Sequence, residues 1–168
     1  MGATGPHFSD AELRCKCGCG ENGMQQSAID LWESIRSNAE KVFGMGRVRV
    51  KVDSAYRCEA HNIAIKGALN SKHMHGLAID GVLEVANDYG GKGAVKWNTV
   101  APALWESIVR ESPLLGGIGR SDEGNFIHAD SRSERMSSQP IQWCYSGGQE
   151  VAYYKPKQIG EAPKSVAS

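Results

Sequence analysis

The sequence predicts one α+β domain, a small antiparallel sheet flanked by helices. Apolar residues recur at helical spacing from Ala28 to Phe43, whereas from Arg47 to Asp53 the period falls to two. Farther along, strand-like and helix-like stretches are segregated instead of alternating in βαβ order, which favours antiparallel pairing. The 168 residues, 40% of them hydrophobic, suffice for one core and one domain of ordinary size.

Each element has its own signal. Ser9 and Glu12 in Phe8-Ser9-Asp10-Ala11-Glu12-Leu13 make a capping box, which opens a short helix by satisfying backbone donors at its start. The glycine-rich cysteine run from Cys15 to Gly20 ends it. Ala28, Leu31, Trp32, Ile35, Ala39, Val42 and Phe43 then form one stripe of an amphipathic helix that stops at Gly44. Val48, Val50 and Val52 alternate with Arg47, Arg49, Lys51 and Asp53, the pattern of a strand with one buried face. A short polar helix is expected from His61 to Lys66, and a second strand from Leu77 to Val82. Leu104, Trp105, Ile108 and Val109 indicate a further helix, with Thr99 near its start and Pro102 in its first turn. Strands follow at Gly117 to Gly119, Phe126 to Asp130 and Ile141 to Tyr145. From Lys155 the periodicity is lost, so the domain is assigned to 1–154 and a loose tail to 155–168.

Charge and composition exclude some functions. Lys+Arg and Asp+Glu balance at 19 each, so no global field draws the chain to nucleic acid or an anionic membrane. No segment approaches the ~20 apolar residues of a membrane helix. The start, Met1 to His7, lacks the basic and apolar runs of a secretory signal. A soluble monomer is expected, kept inside the cell that makes it unless something other than a signal peptide delivers it outside. The five cysteines are Cys15, Cys17, Cys19, Cys58 and Cys144. An odd count without a secretion signal speaks against a disulfide framework. Cys15-Lys16-Cys17-Gly18-Cys19 is tight enough for a soft metal but lacks the paired CxxC spacing of common structural zinc sites. The sequence therefore favours unpaired loop or core thiols, with one disulfide at most in an oxidising compartment.

The densest polar cluster runs from Ser71 to Asp80 and holds His73, His75 and Asp80. Histidine and carboxylate make open catalytic zinc sites of three protein ligands plus water, in which the cation brings the water's pKa to ~7. Small Gly76 and Ala78 let the backbone turn close to an ion, and Asp80 among Leu77, Ile79 and Val82 needs a partner. A third ligand is available in Phe126-Ile127-His128-Ala129-Asp130, where His128 and Asp130 share one strand face about 6.5 Å apart. A lone histidine on an apolar strand is ordinarily a hydrogen-bonded core residue. Two His/Asp clusters in one chain move the reading toward a metal.

These residues also carry a resemblance. Ser71-x-His73-x-x-Gly76-x-Ala78-x-Asp80 is similar to the SxHxxGxAxD motif of the zinc D-Ala-D-Ala carboxypeptidases, the M15 peptidases, which are structurally related to the hedgehog signalling domain. Ser54-Ala55-Tyr56-Arg57 resembles that family's SxYR strand end. Gly116-Gly117-Ile118-Gly119 followed by Phe126-Ile127-His128-Ala129-Asp130 resembles its GGIG and FxHxD segments. His7-Phe8-Ser9 with the cysteine run is similar to phage-associated members, and the resemblance spans residues 7 to 145.

The resemblance implies a hedgehog/DD-peptidase-like fold and Zn2+ held by His73, Asp80 and His128, with His75 a less suitable ligand. It implies hydrolysis of peptidoglycan stem peptides or cross-links, at the terminal D-Ala-D-Ala, a cross-link or the L-Ala–D-Glu junction. Arg57 falls on the motif arginine, whose planar fork suits a substrate carboxylate; Ser71 binds substrate or a neighbouring group, or caps a turn. Many relatives carry Asp or Glu three residues before the last metal histidine, where this chain has Asn125, which cannot accept a proton at neutral pH. Asp130 is the first choice as general base, with an orienting role on His128 as its alternative and Asp122 or Glu123 next in line. The compact domain without a signal fits a phage endolysin, held in the host cytoplasm until release to the wall. Three rivals stand beside this reading. One is a non-catalytic zinc-containing peptidoglycan-binding module, and another a cysteine peptidase using Cys58 and His61. The third is a nucleic-acid-binding zinc module of Cys15, Cys17 and Cys19, against which the neutral charge speaks.

Overall fold

The computed structural model describes residues 2–87, 95–133, 140–146 and 149–152; the tail expected at 155–168 lies outside them. The capping box forms as the sequence predicts: the Glu12 carboxylate accepts the Ser9 backbone N–H at 3.0 Å, opening α1 (Asp10–Leu13). The amphipathic stripe becomes α2 (Gln26–Phe43), closed by Gly44, whose φ of 104° is costly for a side-chain-bearing residue. The alternating valines make β1 (Val48–Ser54), with Val48, Val50 and Val52 buried, each contributing about 1.5–3 kcal/mol of burial. The short polar helix, α3 (Glu59–Ala64), starts two residues before the expected His61.

The strand expected at Leu77 to Val82 is longer, β2 (Ala78–Asn87), and pairs β1 antiparallel. A strand that the sequence did not announce, β3 (Lys96–Thr99), pairs the far end of β2 and takes up Thr99. Pro102 then opens α4 (Pro102–Arg110), and β4 (Gly117–Ser121) and β5 (Phe126–Asp130) form a hairpin. β6 (Ile141–Ser146) and β7 (Gln149–Ala152), the latter also unannounced, complete a seven-stranded sheet of order β1-β2-β5-β4-β6-β7, with β3 beside β2. The sheet is not wholly antiparallel, because β4 and β6 run parallel. β5 intervenes between them in sequence and pairs the other edge of β4, so the return to β6 keeps the direction of β4.

Alternation divides the sheet into a dry face and a site face. Ile79 and Leu83 of β2, Ile118 of β4, and Ile127 and Ala129 of β5 join one core with α2 and α4. Trp32 and Trp105 meet edge-on there at 6.4 Å between ring centroids, and the Trp32 indole donates to the Ala129 carbonyl at 3.2 Å. Gly81 is required by this packing, since a Cβ there would stand 2.4 Å from the Trp32 ring. A buried Glu106–Arg120 ion pair at 2.7 Å fastens α4 to β4. On the opposite face Asp80, His128 and Asp130 look out from the seam between β2 and β5.

Candidate metal centre and catalytic cleft

Strand register assembles the centre. In the β2–β5 ladder Asp80 stands directly across from His128, so the same-face pair is a cross-strand neighbour pair. Gly117 and Gly119 of β4 stand across from Asp130 and His128, and their lack of side chains clears space for Asp130 and Trp143. A Cβ on Gly117 would lie 2.5 Å from the Asp130 carboxylate, and one on Gly119 would lie 2.4 Å from the Trp143 indole. His73 comes from the turn before β2. Gly76, at φ 66°, makes that turn possible and packs where a Cβ would meet the Gly23 carbonyl at 1.9 Å.

Three atoms converge: His73 Nε2, Asp80 Oδ1 and His128 Nδ1. His73 and Asp80 are 3.2 Å apart, His73 and His128 3.2 Å, and Asp80 and His128 2.8 Å. Two ligands held at ~2.0–2.1 Å on a tetrahedral zinc ion are separated by about 3.3 Å, close to this spacing. Hydrogen bonds behind the rings decide their protonation. His73 Nδ1 lies 2.7 Å from the Ala55 carbonyl, which only accepts, so Nδ1 carries the proton and Nε2 presents a lone pair. His128 Nε2 lies 3.1 Å from Asp130, so in the neutral ring a proton on Nε2 leaves Nδ1 as the lone-pair nitrogen. With both imidazoles neutral, two lone pairs and a carboxylate face one point and a cation satisfies all three; a proton on His128 Nδ1, donated to Asp80, takes that place in the metal-free protein. All three residues are buried, and their donor set of two imidazoles and one carboxylate suits zinc.

The electrostatics make the same demand. Burial alone would raise the Asp80 carboxyl, but His73 and His128 reverse that and hold it below the usual carboxylate range. Burial lowers His128, yet Asp130 and Asp80 outweigh it and bring its pKa to about 9. Two carboxylates around one imidazole call for positive charge, which a metal ion supplies while leaving the ring neutral.

A cleft of about 980 Å3 opens over the ligands, within the size range of small-molecule sites. Arg57 and Ser71 line it, as do Glu123, Arg132, Trp143 and Tyr145. Arg57 donates to Asn62 Oδ1 at 3.0 Å and Ser54 Oγ at 3.2 Å, which steadies its fork, and its buried Nε has no hydrogen-bond partner among the described residues. His75 is exposed and outside the cluster. Asp130 is fully buried behind His128, on the side of the ring away from the ligand nitrogen. Arg132 grips both its oxygens, at 2.7 and 2.5 Å. Asn125 sits in the β4–β5 turn at φ 55°, a left-handed conformation that asparagine tolerates better than most residues. Its identity answers to turn geometry. Among residues the sequence did not single out, Trp143 packs on His128 at 5.1 Å between ring centroids, and Arg132 stacks over Trp143 at 5.3 Å. The Asp130-x-Arg132 spacing and the same-face pair Trp143 and Tyr145 were the available signals.

A sequence profile for the family described as peptidase M15 matches residues 6–130. The chain belongs to the peptidase M15 family. No curated protein matches it. The matched span runs from before α1 to Asp130 and contains all three metal ligands, whereas the wall built by β6 and β7 lies beyond it. The protein is a zinc-dependent peptidase of the M15 type, and its buried cluster of His73, Asp80 and His128 is capable of coordinating a zinc ion. The thiol-protease alternative fails within this M15 peptidase, because the His61 ring approaches Cys15 at 3.2 Å and Cys58 is packed among other sulfurs.

Proposed function

We propose that this M15 peptidase hydrolyses stem peptides or cross-links of bacterial peptidoglycan, and that it acts as a phage endolysin held in the host cytoplasm until released to the cell wall. The observation that carries the substrate reading is the pairing of a zinc site on the cleft floor with the guanidinium of Arg57 on its wall. Stem peptides present free carboxylates beside their peptide bonds, and the fork of Arg57, fixed by Asn62 and Ser54, takes such a carboxylate and sets the register. Ser71, on the same wall, hydrogen-bonds the peptide backbone.

Zinc bound by His73, Asp80 and His128 would polarise the scissile carbonyl and acidify a water. The protein's own part is proton handling and positioning. Asp130, the first choice for the base from sequence, suits orientation better: its carboxylate is sealed, held by Arg132 and spent on the far nitrogen of His128. Asp122 is engaged with Arg120 at 3.1 Å. Of the two loop carboxylates Glu123 is the one that lines the cleft, and its carboxylate oxygen would take the water's proton and return it to the leaving amine.

Mass spectrometry of purified muropeptides incubated with the protein, with and without a chelator, tests this. Chelator-sensitive products are expected, and their masses name the bond cut. Muropeptides left intact by zinc-loaded protein that still cleaves other peptides would overturn the substrate reading.

A further inference from the structure

Cys15, Cys17, Cys19 and Cys58 come together at the N-terminal edge of the domain, with their four sulfurs all within 4.8 Å of one another. Cys15 lies 3.4 Å from Cys17 and 3.6 Å from Cys58, and Cys17 lies 3.6 Å from Cys58. All four are free thiols. Four sulfurs at ~2.3 Å on a tetrahedral zinc ion are separated by about 3.8 Å, so the cluster is already near coordination spacing. We propose that these four cysteines hold a second, structural zinc ion as a tetrathiolate site, separate from the catalytic centre.

Backbone N–H groups point at three of the four sulfurs. The N–H groups of Cys17 and Cys58 point at the Cys15 sulfur, that of Cys19 at Cys17, and that of Glu21 at Cys19. Hydrogen bonds from backbone donors stabilise a thiolate more than a thiol. His61 Nδ1, 3.2 Å from the Cys15 sulfur, donates its proton there when that sulfur is a thiolate. Gly18 at φ 87° and Gly20 at φ 77° give the loop the left-handed turns that bring three alternate residues to one point. Four thiolates this close repel one another strongly unless a cation sits among them. The fourth ligand arrives from 39 residues beyond Cys19 in sequence, which is why the CxCxC run alone does not resemble a paired zinc motif.

The site joins two segments that matter to the cleft. Cys58 caps α3 and directly follows Arg57, and the Tyr56 N–H donates to the Leu13 carbonyl at 3.2 Å alongside. A metal clasp here fixes the N-terminal loop against the segment between β1 and α3 that carries Arg57. With four protein ligands the sphere is closed, the mark of a structural rather than catalytic zinc.

Metal analysis of the purified full chain under reducing conditions tests the proposal. About two zinc ions per chain are expected, falling to about one in His73→Ala and to about one in Cys17→Ser/Cys19→Ser. Cobalt exchanged into the unmutated protein is expected to show an intense sulfur-to-cobalt charge-transfer band that His73→Ala retains. The cobalt readout needs no cysteine variant to fold. One zinc per chain that disappears with His73, or cobalt protein without the thiolate band, would overturn the proposal while leaving the catalytic site intact.

Discussion

The two ligand clusters of this molecule are built by opposite means. The histidine–carboxylate set stands on strand β5, strand β2 and the turn before it, and is placed by ladder register with glycines behind it. The thiol set hangs on a short loop and one helix cap, placed by left-handed glycines and backbone donors. One offers three ligands and faces a cleft; the other offers four and closes on itself. A metal held by rigid strands with a free side can do chemistry on what enters, whereas a metal enclosed by a loop can only hold the loop.

Removing a ligand separates them most sharply. His73→Ala is expected to abolish one zinc equivalent and lower kcat/KM at least about a thousandfold, since several kcal/mol of transition-state stabilisation leave with the ion. Retention of activity with the catalytic zinc gone would break the distinction. Next in size, Glu123→Gln should cut kcat roughly a hundredfold or more with zinc content unchanged. Asp130→Asn should instead cost about 10–100-fold, with zinc affinity falling alongside activity, because the residue acts through His128. If Asp130→Asn kills turnover at full zinc occupancy while Glu123→Gln is silent, the two roles exchange.

Protons sharpen the same contrast. In chelator-stripped protein the pKa of His128 stands raised from 6.5 to about 9. The stability that its proton contributes is therefore complete below pH 6.5 and is lost as pH rises through 9. Zinc affinity runs the other way, strengthening with pH over that window as the ligand nitrogen is freed. Thermal melts and zinc titrations across the range check both signs; a metal-free melting curve flat with pH would refute the proton's contribution. The smallest effect is structural: Gly81→Ala, which drives a methyl toward Trp32, should lower stability by about 1–3 kcal/mol without altering the zinc count.

What could be read in advance follows the range of the forces. The buried valines of β1 and the stripe of α2 are written in local periodicity, because each residue's burial depends on its own strand or helix face. β3 offers no such alternation: Lys96, Asn98 and Thr99 are all exposed at an edge, and only pairing with β2 makes the segment a strand. The parallel β4–β6 pair is set by long-range register that no local pattern records. His73, Asp80 and His128 were legible because metal chemistry restricts the residue types allowed. The place of Asp130 behind His128 was not, since the same carboxylate two residues along a strand can face a substrate or back a ligand. Cys58 was opaque for a related reason: its partners lie far off in sequence, and only the fold brings Leu13 and Tyr56 side by side.

Gly117 and Gly119 admit no side chain without displacing Asp130 or Trp143. The floor of the cleft is thus closed to variation, and descendants of this sequence can diversify only along its margins. The stretch from Ile65 to Lys72 and the aromatic wall of β6 are where a new preference for one peptide over another can be inscribed while the metal stays in place. Selection for a different cleavage target would leave its record in those two borders and spare the glycines.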